Sequence, residues 1–188
     1  MPPRNRGARG GQASRRLGAA AAASLVLSLG GCEAKLSEGK DCPPGARTNT
    51  VSGFCVPRWV SLKRGEVYGR KGPGKDYPAV WIYRARGLPV QIVAETQEWR
   101  RICDPFGGAT WVNRSMVDGR RTALAYGADP IPLLDAPGGP KTKAMMVARS
   151  MGALSRCVGD WCRLKVEGSE GWAPAARLWG SAGPAQCK

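Results

Sequence analysis

Glu98-Trp99-Arg100-Arg101-Ile102 and Asp160-Trp161-Cys162-Arg163-Leu164 carry the residue types in this chain best suited to chemistry. Strand alternation places Trp99, Arg101 and Cys103 on one face, with Arg100 and Ile102 opposite. In the second stretch Trp161, Arg163 and Lys165 share a face, and Cys162, Leu164 and Val166 form the core-facing set. Each tryptophan then stands beside an arginine on the outer surface. That pairing suits stacking and carboxylate binding, not bond breaking. The competing expectation is that a bulge or barrel closure buries both tryptophans as core. Tyr68, Arg70, Tyr77 and Trp81 flank the loop Gly72-Pro73-Gly74 and form a second candidate cluster, with ordinary turn packing as its alternative. Trp111 and Trp172, beside threonine and glycine, are read as core.

Acid–base and metal chemistry find little support. The chain has no histidine, the usual general base and metal ligand. Its cysteines form no C-x-x-C knuckle of the kind that zinc or redox sites use. Glu95, Asp104, Asp118, Asp129 and Asp135 fall near turns or strand ends without a recognisable catalytic motif. Gly72-Pro73-Gly74 lacks the helix and the Lys-Ser/Thr of a phosphate loop. The expectation is a binding protein with no catalytic residues, no metal and no cofactor.

The two tryptophan stretches are copies of one unit. Trp99 and Trp161 are 62 residues apart, Trp111 and Trp172 are 61 apart, and Gly72-Pro73-Gly74 recurs as Ala136-Pro137-Gly138 after 64. Such an offset marks a duplicated unit of about sixty residues. Short apolar runs separated by Gly/Pro turns, with no helical period, predict all-β modules. The expected boundaries are a polar tether at 32–54, module one at 55–125, a linker at 126–130, module two at 131–180 and a tail at 181–188. A single helical turn is expected within 114–118, and Arg177-Leu178-Trp179 is expected to repeat it.

Units this small bury little surface and tend to need staples. Setting Cys32 aside leaves six cysteines, an even number that reads as disulfides in an exported chain. Gly159-Asp160 suits a two-residue type II′ hairpin, which makes Val158 and Trp161 the flanking pair and Cys157–Cys162 the next, close enough to bridge. The same register in module one sets Glu95 opposite Arg100 as a cross-strand ion pair. Cys55–Cys103 and Cys42–Cys187 are the expected remaining bridges, among several connectivities.

Residues 1–16 carry five arginines and no acid, and an uncharged run from 17 to 31 follows. This is the pattern of a signal peptide, too short for a permanent span. It ends Leu29-Gly30-Gly31-Cys32, which resembles a lipobox with Cys32 as the lipidated residue; cleavage after Ala34 is the alternative. The expectation is an exported, periplasmic chain held at the membrane by a lipid anchor only. Lys and Arg outnumber Asp and Glu by 29 to 14, a formal charge of +15. That balance suits an anionic partner such as lipid, polysaccharide or wall carboxylates; the bland alternative is a solvated basic surface. Nucleic acid fits the charge but not the compartment.

These landmarks resemble the bacterial SH3-like (SH3b) domains of exported proteins. The likeness rests on Arg70-Lys71-Gly72-Pro73-Gly74, the two E/D-W-x-R-I/L strands, the Thr110-Trp111 and Gly171-Trp172 strands, and the opening run Val56-Pro57-Arg58-Trp59-Val60-Ser61-Leu62-Lys63. It covers residues 56–180 and implies two partly open barrels of five or six strands. It also implies a cell-wall context, with peptidoglycan, its peptides or an envelope protein such as a murein hydrolase as partner. Where the family commonly has an Asn-Val-Arg triplet, this chain has Tyr68-Gly69-Arg70. Module two has Leu134-Asp135 in place of the arginine, which speaks against ligand contacts through that loop.

Overall fold

The computed structural model describes residues 42–47 and 49–181. The expected signal peptide, Cys32 and Cys187 lie outside the described residues. The strands of the first module are β1 (Arg58–Leu62), β2 (Val67–Arg70), β3 (Ala79–Tyr83), β4 (Pro89–Glu95), β5 (Trp99–Cys103), β6 (Ala109–Asn113) and β7 (Val117–Asp118). Those of the second are β8 (Thr122–Ala125), β9 (Ile131–Leu134), β10 (Thr142–Met146), β11 (Met151–Val158), β12 (Trp161–Val166), β13 (Ser169–Pro174) and β14 (Leu178–Trp179). One sheet runs β3-β2-β6-β5-β4-β1-β7 and the other β10-β9-β13-β12-β11-β8-β14. The second order is the first with every strand advanced by seven, so the duplication seen in sequence is a duplication of topology. The fold is all-β, with two small modules in tandem.

Each sheet has seven strands rather than five or six, because a two-residue strand follows the closing 3-10 turn and pairs with the first strand of its module. Those turns are Arg114–Met116 and Ala175–Arg177, at equivalent places in the two repeats. One sheet supplies every wall of each core: Leu62, Val67, Val90, Ile102 and Val112 in module one, and Ile131, Leu133, Met146, Leu164 and Ala173 in module two. A sheet can enclose its own core only by coiling on itself. Thr122–Ala125, assigned to module one from sequence, belongs to the second sheet, where it pairs with β11 and β14. Its repeat equivalent is β1, not a closing strand.

The β11–β12 hairpin has the expected register, with Val158 opposite Trp161 and Cys157 opposite Cys162. Gly159 takes the left-handed backbone (φ +53°) that the turn needs, and Cys157 and Cys162 are bridged across a Cα separation of 4.0 Å. The remaining pairing differs from expectation. Cys42 is bonded to Cys55, which excludes both Cys55–Cys103 and Cys42–Cys187. The turn at Pro43-Pro44-Gly45 reverses the chain, and Arg47 forms a bridge with Val56, so the two cysteines are brought together locally. Cys103 is also disulfide-bonded.

Nor are residues 42–54 a loose tether. The Arg47 guanidinium donates to the Val93 carbonyl at 2.9 Å, and Ser52 donates to Glu95 from its amide at 3.0 Å and its hydroxyl at 2.6 Å. Glu95 is paired across the strands with Arg100, as the repeat register predicts. It also takes Arg58 at 2.7 Å, with Arg100 at 3.3 Å, and its side chain is 3% exposed. Burial would push this carboxyl up, but the Ser52 hydrogen bonds and the Arg58 guanidinium outweigh it and bring it down to about 2.

The modules meet through the outer face of β1 and β4. Trp59 and Ser61 alternate with the core residues of β1, yet Ser61 and Gln91, the cross-strand partner of Trp59, are fully buried. Trp179 of β14 covers them: its ring meets Trp59 edge-on at 5.1 Å, and its indole N–H donates to the Pro89 carbonyl at 2.9 Å. The Ser61 and Thr122 hydroxyls lie 2.7 Å apart, and Thr122 donates to the Gly87 carbonyl at 2.6 Å. Gly180 has φ +94°, and a β-carbon there would sit 2.6 Å from the Thr122 carbonyl oxygen, so the turn after Trp179 requires glycine.

Two outcomes follow. Glu95→Gln should cost ~3 kcal/mol at neutral pH, because a carboxyl held at about 2 against an ordinary 4.5 contributes stability that is fully present above 4.5. That contribution is lost as pH falls through 2, so urea midpoints of the two proteins should converge between pH 4.5 and 2; a constant gap would contradict the network. Trp179→Ala should cost roughly 3 kcal/mol and uncouple the modules. Calorimetry should then show two transitions where the unaltered chain shows one.

Candidate functional site

β2 alternates cleanly: Val67 enters the core, while Tyr68 and Arg70 face outward. Gly69 points inward, where a β-carbon would lie 2.5 Å from the Thr110 hydroxyl and 3.0 Å from the Tyr83 ring. The valine of the family triplet is thus replaced by a buried polar set. The Tyr83 hydroxyl donates to Asp104 Oδ2 at 2.8 Å and contacts Thr110 at 2.9 Å, while Asp104 Oδ1 accepts from the amides of Phe106 and Gly108. Burial, with Asp104 adding to it, pushes the Tyr83 hydroxyl well above its usual range. Asp104 is accordingly a brace for the 104–108 loop. Glu95 and Asp118 are engaged likewise, in the network above and with Arg120 at 2.6 Å.

On the outer face Tyr68, Arg70 and Trp99 converge on a groove of about 410 Å³. Glu66, Val67, Lys75, Asn113, Ser115 and Met116 complete its lining. Tyr68 is 47% exposed and its hydroxyl donates to Glu66 at 3.0 Å, a bond that raises its pKa. Arg70 is turned to a different task. One guanidinium nitrogen donates to the carbonyls of Lys75 at 3.0 Å and Tyr77 at 2.7 Å, tying the Gly-Pro-Gly loop to β2. Trp99 opens β5 half-buried, opposite Asn113. The groove thus combines two aromatic faces with a lysine, an amide and a hydroxyl, a set that can stack on and hydrogen-bond to an amide- or carboxylate-bearing ligand.

The other expected site residues separate. Tyr77 lies on the loop backbone, where a β-carbon at Gly74 would be 3.2 Å from its ring, so it shapes the loop rather than lining the groove. Trp81 lies in a different groove, with Phe106 and Met151. Arg101 is exposed opposite Trp111, which is itself half-buried on the outer face between Arg70 and Arg101. Trp111 is therefore not core, because the parity of β6 puts Thr110 and Val112 inward. Trp172 is buried but also stands on the outer face, opposite Arg163 and beneath the Arg156 guanidinium at 5.5 Å.

Module two closes what module one leaves open. Trp161, the counterpart of Trp99, packs on its own loop, since a β-carbon at Gly138 would be 3.7 Å from the indole. Leu134 pairs with Trp172 as Arg70 pairs with Trp111, so the loop-tying arginine is replaced by an apolar residue. Arg163 is held by Glu170 at 2.9 Å. Trp161 and Arg163 share a face as expected.

Asn113, Ser115 and Met116 escaped notice in the sequence. Their signal was Asn113-Arg114-Ser115, a capping pattern: the Asn113 side-chain oxygen accepts from the Ser115 amide at 3.0 Å and hydroxyl at 2.7 Å. The cap starts the 3-10 turn that carries Met116 into the groove.

No curated protein matches the chain. Two solved structures from Trichomonas vaginalis show a remote likeness. NlpC2 is 10% identical with a TM-score of 0.30, over 65% of this chain and 48% of its own; NlpC1 is 8% identical with a TM-score of 0.30, over 73% and 50%. The chain thus spans about half the length of each, and likeness of this degree carries no argument about activity. The match to the bacterial SH3 domain is of another kind, covering residues 63–119 and again 128–180. Each matched segment takes in the second to the seventh strand of one sheet, and the chain belongs to the bacterial SH3 domain family.

Proposed function

We propose that this chain is a non-catalytic cell-envelope binding protein whose first module takes peptidoglycan or its peptides in the groove of Tyr68, Trp99 and Lys75. Domains of this family are typically non-catalytic and commonly bind the cell wall, which supports the reading. The observation that carries it is the convergence of Tyr68, Arg70 and Trp99, from two strands, on one open groove. In the second module the corresponding tryptophan packs on its own loop, so that module serves as a structural partner. Export and lipidation at Cys32 would set the groove at the wall. The charge of +15 would favour approach to an anionic polymer, with the groove supplying selectivity.

Co-sedimentation of the mature, disulfide-intact protein with purified sacculi is the direct test. Pelleting should persist at roughly 0.5 M salt, where attraction by charge alone is screened. Tyr68→Ala or Trp99→Ala should each weaken it by about tenfold. Failure to pellet at either salt, or loss at high salt alone, would overturn the proposal. Arg70→Lys keeps the charge but cannot span two carbonyls from one fork. It should weaken pelleting nearly as much as Arg70→Ala and lower stability by ~1 kcal/mol, measured by urea unfolding.

A further inference from the structure

The edge of the first sheet and the junction of the two modules meet at three residues. β2 is the neighbour of β3 in the sheet and, among the described residues, no strand pairs with its other side, so outward-pointing N–H and C=O groups of β3 have no ladder partner there. A bulge at Val80 breaks the register between Ala79 and Trp81, which leaves Trp81, Ile82 and Tyr83 as the regular stretch. The bulge guards the first half of the edge. The second half has no such guard, and Ala79-Val80-Trp81-Ile82-Tyr83 contains neither lysine nor proline. Those same three residues line a groove of about 300 Å³ that reaches Leu124, Arg149 and Met151 of the second module.

The groove shares Phe106, Leu124 and Arg149 with a neighbouring hollow of about 350 Å³ that extends to Tyr126. Trp81, Phe106 and Tyr126 are 52%, 67% and 56% exposed, a concentration of bare aromatic surface. The charged residues lining the two hollows are Arg149 and Arg84, the latter sharing its exposed guanidinium with Glu66 at 3.5 Å, and no carboxylate lines either hollow. Arg149 stands at φ +62°, where glycine would fit at less cost, so a cation is kept at a position that local backbone energy disfavours.

We propose that this junction docks an extended, acidic segment of a partner polypeptide. Its backbone would pair with Trp81–Tyr83 as an added strand, one apolar side chain would enter the groove, and its carboxylates would meet Arg84 and Arg149. A second copy of this chain is the poorer occupant, because it would bring basic groups against basic groups in a protein of charge +15. The site is separate from the Tyr68–Trp99 groove, and either can fail without the other.

The probe is a fluorescein-labelled peptide, acetyl-Glu-Val-Glu-Phe-Glu-Val-Glu-amide, followed by anisotropy on the mature protein. Saturable binding is expected, weakened by about tenfold in Trp81→Ala and in Arg149→Gly and abolished when alternate peptide nitrogens are methylated. Glycine suits the backbone at 149, so that variant should unfold at the same temperature or higher, which separates lost charge from lost fold. Three results would each overturn the proposal: no binding up to about 1 mM peptide, equal binding of the methylated peptide, or affinity unchanged in both variants. So would sedimentation equilibrium showing a dimer of the chain that Trp81→Ala dissolves.

Discussion

The outer face of the β1–β4 pair has to be covered. Trp59, Ser61 and Gln91 stand on it, a large ring beside two polar side chains, and water alone would leave the ring exposed. Trp179 and Thr122 supply the cover, so the first module is completed by the second. This explains why the end of β1 and the start of β4 are buried on both faces instead of alternating. At the other end of β4 the Ser52–Glu95–Arg58–Arg100 network fastens the disulfide-closed segment before β1. Each module alone is small; together the joint and the network hold β1 and β4 from both ends.

On that frame the two repeats have diverged in the same place. In module one an arginine ties the loop back to its strand, and the space in front of Trp99 stays open. In module two leucine takes the place of the arginine, and the loop folds onto Trp161. The strand order of the two units is equivalent, so what separates them here is a few side chains around one loop.

Much of this was legible in the sequence because it depends on local spacing. The 62-residue offset set the repeat, the Gly159-Asp160 turn set the cysteine register, and the same register placed Glu95 against Arg100. The outward placing of Tyr68, Arg70 and Trp99 was legible because strand parity fixes it. What the sequence hid depends on neighbours distant along the chain. Trp111 read as core because tryptophan favours burial, yet parity puts it outside between cross-strand arginines, while Trp172 is buried as expected but from the outer face, beneath Arg156. Residues 42–54 read as a tether because they lack periodicity; a disulfide and three side-chain contacts order them without any. The module joint was invisible because a strand buried on both faces looks, in sequence, like any apolar run.

The joint between the repeats is not symmetric. Module one enters it with β1 and the start of β4, and module two with β8 and β14. The strand image of β14 in module one is β7, where Asp118 holds the place after the 3-10 turn that Trp179 holds in module two. Two copies of module one would set a carboxylate where the joint needs an indole. The pairing is therefore written into the differences between the repeats and not into what they share.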